Sequence, residues 1–337
     1  MAAQTCYWDN AGADNDWGAA GNWYTTTEAD RVPVTGDTVI FDGRTSGDCT
    51  GSMDQTGVDL AGLYIYDSYT GTIGATGAPL ITECAGTMLI EGSGDKFIQV
   101  GNDANDADVL LTIINTSGNV ELSSQKNQAA GNIAKFTTVY VLQGTVTIHG
   151  DEDTATHGGE DGTFVGTLYI APTNTRGNNV TVTMGDACFD QKNTAYTDVY
   201  MREGTFTFCS TLDDLHIYGG KVYNGSTLYD MAAADDTITS LILYDGTFYW
   251  LPSNVTTSVR TTAATAPTIT TAHILGGKFD ATDMLETATT APTITTMTMY
   301  PGCEVDLENG YANFIVTTLN KYGGTIKTSP GQALTLA

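Results

Sequence analysis

The chain has 337 residues, 13 Lys and Arg against 39 Asp and Glu, a formal charge of −26, and only 15% charged residues. That length fills one large domain or two ordinary ones without needing a metal or disulfide. The scarcity of bases excludes a surface built to neutralise phosphates, and with it a nucleic-acid binder. Abundant Thr with 38 Gly argues against helix and for strand.

Residues 1–50 read differently from the rest. The segment Met1-Ala2-Ala3-Gln4-Thr5-Cys6-Tyr7-Trp8 has no basic region followed by an apolar one, so Sec export is not expected. Three of the four Trp lie here, in the pattern Trp8-Asp9-Asn10, Asp16-Trp17, Gly21-Asn22-Trp23 and then Pro33-Val34-Thr35-Gly36-Asp37-Thr38-Val39-Ile40-Phe41. Trp8, Trp17 and Trp23 are predicted to cap the strands C-terminal to them, because the first strand of a repeat array exposes an edge and an apolar end.

From there one phrase recurs: two apolar residues around one outward residue, then a Gly turn, then a second short strand. It reads Leu63-Tyr64-Ile65, Val139-Tyr140-Val141, Leu168-Tyr169-Ile170, Val199-Tyr200-Met201, Leu215-His216-Ile217 and Leu241-Ile242-Leu243. The heptapeptide Thr-Ala-Pro-Thr-Ile-Thr-Thr occurs at 265–271 and again at 290–296, each time just before such a strand. Taking outward residues as markers gives Ile40, Tyr64, Leu89, Thr112, Tyr140, Tyr169, Tyr200, His216, Ile242, His273, Thr298 and Asn320, spaced about 25 residues apart on average. A strand returning at that period without intervening helix predicts an all-β fold, a right-handed parallel β-helix (β-solenoid) of about eleven coils over 51–337, capped by 1–50. Handedness follows the general preference of parallel crossovers. The short step from Tyr200 to His216 leaves two possibilities, an abbreviated coil or a marker on another face. Loops at 101–108, 123–131 and 150–162 absorb the variation in length.

The six cysteines (Cys6, Cys49, Cys84, Cys188, Cys209, Cys303) form no CxxC. They are read as buried thiols of a protein assembled in a reducing cytoplasm, with no structural zinc. The opening motif Trp…Asn-Trp…Pro-x-x-Gly-Asp-x-Val-x-Phe, over residues 8–75, resembles the start of β-solenoid proteins of phage particles and bacterial surfaces. The remainder is similar to β-helical phage virion proteins, of the kind found as head decoration proteins and tailspikes. The resemblance implies a structural virion protein, a capsid decoration or cement protein on the outside of a phage head, assembled in the host cytoplasm. Its partners would be the major capsid protein or another virion protein, with no membrane and no nucleic acid. A cell-surface adhesin and a polysaccharide-binding or depolymerising tailspike are the alternatives.

A β-helix can host carbohydrate chemistry, so carboxylate pairs matter. Asp213-Asp214 beside His216 and Asp235-Asp236 are the candidates, but neighbours on a strand point to opposite faces. The pectin-hydrolase residue set of β-helices is absent, and bases to stabilise an enolate-like intermediate are few. No catalytic residue, metal site or cofactor is assigned and no enzyme is expected. The four His (His149, His157, His216, His273) fall in different coils. Asp103, Asn105, Asp106 and Asp108 lack the Gly and distal Glu of an EF-hand. Asn115, Asn224 and Asn254 open Asn-x-Ser/Thr triplets expected by chance in so Thr-rich a chain.

The outward stripe Tyr64, Leu89, Tyr140, Tyr169, Tyr200 and Ile242 is the informative surface feature. It reads either as a cross-coil ladder that stiffens the sheet or as an interface. A sugar platform fits less well, because Tyr is mixed with Leu and Ile. The interface reading predicts a homotrimer, since cyclic closure buries such a stripe without leaving a copy unpaired.

Overall fold

The alternation of apolar and outward residues becomes strand throughout, and the protein is all-β. The computed structural model describes residues 2–26, 29–100, 108–124, 135–149, 163, 165–172, 180–185, 197–208, 211–225, 237–250, 268–282, 292–308, 314–330 and 335–336. Among them the only helical piece is a 3-10 turn at Ala20–Asn22. The chain forms two compact units, Met1–Thr167 and Leu168–Ala337.

In the first unit, β1 (Thr5–Trp8) pairs antiparallel with β2 (Trp23–Thr25) and parallel with β3 (Thr38–Phe41). Parallel pairing then continues through β4 (Asp54–Ile65), β5 (Leu80–Ser93), β7 (Asp108–Ser124) and β8 (Lys135–Ile148), with β6 (Lys96–Val100) beside β5 and β7. The register aligns Cys6, Val39, Leu63, Met88, Leu111 and Val139 in one row, and Trp8, Phe41, Ile65, Ile90, Ile113 and Val141 in a second. All twelve side chains are fully buried. Between the rows run the outward residues Tyr7, Ile40, Tyr64, Leu89, Thr112 and Tyr140, one per strand.

The Trp residues are built into this ladder. Trp8 lies in register with Phe41, and Trp23 packs edge-on against Trp8 at 5.1 Å and Trp17 at 4.6 Å. All three are fully buried, and the Trp23 indole donates to Trp17 O at 2.7 Å. The buried Asp37 carboxylate ties the segment together, accepting from the Arg31 guanidinium at 2.7 and 2.9 Å and from the amides of Gln4 and Val34. Burial alone would raise its pKa, but these donors hold it below the usual carboxylate value.

In the second unit the strands alternate between two parallel ladders. One contains β9 (Val165–Ile170, from Leu168 on), β11 (Thr197–Met201), β13 (Leu212–Ile217), β15 (Thr237–Leu243), β17 (Thr268–Ile274), β19 (Thr293–Met299), β21 (Ile315–Lys321) and β23 (Thr335–Leu336). The other contains β10 (Val180–Met184), β12 (Thr205–Phe208), β14 (Lys221–Asn224), β16 (Thr247–Trp250), β18 (Lys278–Asp280), β20 (Glu304–Asp306) and β22 (Thr325–Lys327). The described parts of the two heptapeptides meet in register, with Thr268 opposite Thr293, Ile269 opposite Ile294 and Thr271 opposite Thr296. The short step does not put a marker on another face, because Tyr200 and His216 are direct partners on neighbouring strands.

The corners that follow β11, β13, β15, β17, β19 and β21 are three or four residues and turn at a Gly with positive φ. Gly246 has φ +83°, and a Cβ there would sit 2.6 Å from Gly220 O. Gly220 stands in the same relation to Gly204 O, and Gly277 to Gly246 O. The corners stack backbone on backbone, so only glycine fits.

Candidate functional site

The six sequence-predicted stripe residues divide between the units. Tyr64, Leu89 and Tyr140 share the outward row of the first unit, and Tyr200 and Ile242 share a row of the second, with Tyr169 stacked on Tyr200. All six are half-buried. The Tyr64 ring lies across the sheet over Gly62, where an added Cβ would meet it at 2.7 Å.

On the second unit the outward face of the β9–β21 ladder has three parallel rows. The middle row runs Tyr200, His216, Ile242, His273, Thr298 and Asn320. Its first rings form one stack: Tyr169 to Tyr200 at 5.2 Å and 18°, Tyr200 to His216 at 4.7 Å and 27°. The next row, two residues further along each strand, holds Arg202, Tyr218 and Tyr244. Tyr218 and Tyr244 stack at 4.5 Å and 8° and are 43% and 40% exposed, the open part of the face. Burial first, then the Tyr244 hydroxyl beside it, pushes the Tyr218 pKa up. Sequence reading by one marker per strand passes over this row. Its signal is the repeated Tyr-x-Gly of Tyr218-Gly219-Gly220, Tyr244-Asp245-Gly246, Tyr300-Pro301-Gly302 and Tyr322-Gly323-Gly324.

Where the two rows meet, the surface is concave. Tyr169, Pro172, Tyr200, Arg202 and Tyr218 line a groove of 290 Å³. A second depression of 610 Å³ adjoins it across Arg202 and Tyr218, and its polar side chains are Glu203, Thr205, Lys221 and Asp245. Arg202 is exposed, with Nη1 donating to Pro172 O at 3.2 Å. The remaining N–H groups of its guanidinium are available to a ligand.

The third row is acidic at its start. The pairing of β11 with β13 slips between Thr197–Leu212 and Val199–Leu215, so Asp213 and Asp214 both stand against Asp198. The residue burial along β13 accordingly reads buried, half, half, buried. Adjacent Asp residues on a strand would have faced opposite ways, but the bulge turns both outward. Burial, then the Asp214 charge, raises the Asp198 pKa, and Asp213 adds to it. His216 lies beside this trio, its Nδ1 buried and without a hydrogen-bond partner among the described residues.

His149 is buried and its Nε2 pairs with Glu121 at 3.0 Å, while His273 sits in the middle row. Cys6, Cys49, Cys84 and Cys303 are buried free thiols, and burial raises the pKa of the first three. Asp103, Asn105, Asp106, the acidic loop 151–161, His157, Cys188, Cys209, Asp235, Asp236 and Asn254 lie outside the described residues, as does the Asp108 side chain. Among the described residues no group of three or more His, Cys, Asp and Glu is placed to hold a metal ion, and no helix is long and apolar enough to cross a membrane. Comparison of the chain with protein-family models, with curated proteins and with solved structures gives no match.

Proposed function

We propose that each unit is a right-handed β-solenoid and that the chain is a structural protein on the exterior of a virus particle, a capsid decoration protein. The observation that carries the solenoid reading is the register: successive coils place one outward residue between two buried ones, in parallel, strand after strand. Such a stack buries a continuous core and resists bending, the property a particle's outer scaffold needs. The virion setting rests on the resemblance of the Trp8-to-Phe41 motif, and the charge of −26 suits an outward-facing surface kept apart from packaged nucleic acid.

Gradient-purified particles tested by quantitative mass spectrometry decide the location. The protein is expected to co-sediment with intact virions in high copy. Recovery with cell envelopes would replace this reading by an adhesin, and shortening of polysaccharide chains would replace it by a tailspike enzyme. The assembly expected is a homotrimer packed along the outward stripe, of which the first unit carries Tyr64, Leu89 and Tyr140 in one row. Light scattering in high salt should give a trimer for the native chain and a monomer for Tyr64→Asp with Leu89→Asp. A native monomer would exclude that packing.

A further inference from the structure

We propose that the concavity of the second unit between Tyr200 and Tyr218 is a binding site for a neutral oligosaccharide. One face of the Tyr218 ring is occupied by Tyr244, stacked nearly parallel at 4.5 Å. The other looks toward the preceding coil, where Tyr169, Pro172, Tyr200 and Arg202 form the opposite side of the 290 Å³ groove. A flat, rigid, apolar wall of this kind accepts the C–H face of a pyranose at little conformational cost, since tyrosine has few rotors to freeze. The wall is already fixed by stacking, so little ordering accompanies binding.

The adjoining depression supplies what an apolar ligand would not need. Arg202, Lys221, Glu203 and Asp245 line it together with Thr205, giving both donors and acceptors at the edge of the aromatic wall. A sugar has the matching two-sided chemistry, one face of C–H groups and a rim of hydroxyls. In a chain with 13 bases among 337 residues, two stand at this one depression, and two acids balance them. With the bases offset in the depression, Asp198 and Asp214 in the row beside Tyr200 and a charge of −26 overall, an uncharged ligand is favoured over a uronate or sulfated one, which the surrounding field repels. Mixed Tyr, Leu and Ile argued against a sugar platform in the sequence, but Leu89 and Ile242 do not line this groove.

The test is isothermal titration of the purified chain with cellohexaose, maltohexaose, xylohexaose and the hexamer of N-acetylglucosamine, beside hexagalacturonate as a charged probe. At least one neutral hexamer should bind, Tyr218→Ala should weaken it about tenfold, as loss of one stacking ring does, and Arg202→Ala should weaken it to a lesser degree. Tyr322→Ala, at an exposed ring remote from the groove, should leave binding unchanged. Circular dichroism of each variant separates misfolding from loss of binding, and Asp245→Ala, at an exposed corner, serves if Tyr218→Ala does not fold. Silence with all four neutral hexamers overturns the site, as does binding of the charged hexamer alone. Binding that survives both groove variants also overturns it. A change of oligomeric state in Tyr218→Ala would show that a second copy of the chain occupies the groove, and would overturn it too. The titration needs no particle, so its outcome is independent of where the protein resides.

Discussion

The two units close similar ladders with different corners. In the second unit every described strand is seven residues or fewer, and the corner is bare backbone, Gly204, Gly220, Gly246 and Gly277 in one stack. In the first, β4, β5, β7 and β8 run 12 to 17 residues and carry the chain round its bends within strand. Polar groups are buried to make that possible. Lys96 is fully buried, and its Nζ donates to Gly71 O and Ser93 O at 2.7 Å and to Gly94 O at 3.1 Å. Its three N–H donors meet three carbonyls at the bend, which satisfies the buried ammonium. A corner can be tightened until carbonyls pack against glycine, or kept wide and filled with a cation. The first choice is rigid and intolerant of any side chain, and the second is tolerant of shape but sensitive to charge.

The largest effect should come from breaking the glycine stack. Gly246→Ala adds a Cβ 2.6 Å from Gly220 O at φ +83°, so backbone at two corners has to move. Strain and overpacking together should cost about 4 kcal/mol, read as a lower urea midpoint. Gly302→Ala, at φ +93° with nothing within 4 Å of its Cβ, isolates the strain alone and should cost about 1 kcal/mol. Equal losses at the two sites would show that stacking contributes nothing.

Next is the cation of the first unit. Lys96→Met keeps the stem but removes the Nζ donor from three carbonyls, of which Gly94 O keeps the Asn115 amide, a loss of about 3 kcal/mol. Burial draws the Lys96 pKa down to about 8, against the pull of Asp95 and Asp48 upward. The folded chain therefore sheds this proton near pH 8 while the unfolded chain keeps it to its ordinary value of 10.5. Native stability, measured relative to Lys96→Met, should rise between those two values and be flat below pH 7. A difference that falls over that range would contradict a buried cation.

Much of this was legible in the residues. The outward rows of the two units, Ile40 to Tyr140 and Tyr200 to Asn320, follow from recurrence alone, because period two fixes which side chain faces out once two apolar neighbours are known. The all-β class follows from the same pattern with Thr and Gly. Three features were not legible, each for a physical reason. Lys96 follows Gly94-Asp95 and reads as a surface turn, since nothing local reveals that Gly71 and Ser93 will surround it. The exposed Tyr218 and Tyr244 continue the alternation just past the ends of their strands, beyond the single outward marker that the recurring phrase picks out. The outward pair Asp213 and Asp214 depends on a register slip against a strand more than ten residues away.

A smaller effect tests whether stacked rings on the outward faces stabilise the second unit. Tyr223 and Tyr249 face each other across β14 and β16 at 4.6 Å and 5°. Tyr223→Ala and Tyr249→Ala in a double-mutant cycle should give a coupling of about 0.5–1 kcal/mol. A coupling of zero would leave only the separate contacts of each ring with its own strand.

The smallest effect has the opposite sign and belongs to the bulge. Asp198 faces two carboxylates at once, and burial with the Asp214 and Asp213 charges raises its pKa above the ordinary 3.8. A carboxyl whose folded pKa is raised binds its proton more tightly in the folded chain, so stability falls as pH rises through the window above 3.8 and the penalty is complete once the folded group has ionised. Asp198→Asn removes the charge, and the amide oxygen still accepts the hydrogen bond that the Asp214 backbone gives the carboxylate. The variant should be more stable than the native chain at neutral pH by about 0.5 kcal/mol, the scale of like charges directly opposite on a sheet. The gain should disappear near pH 3, where carboxyls are largely protonated in both states, and shrink in high salt because the group is partly exposed. Urea midpoints at the two pH values check this. A variant less stable at neutral pH would mean that the Asp198 charge is held by a partner stronger than the two acids against it.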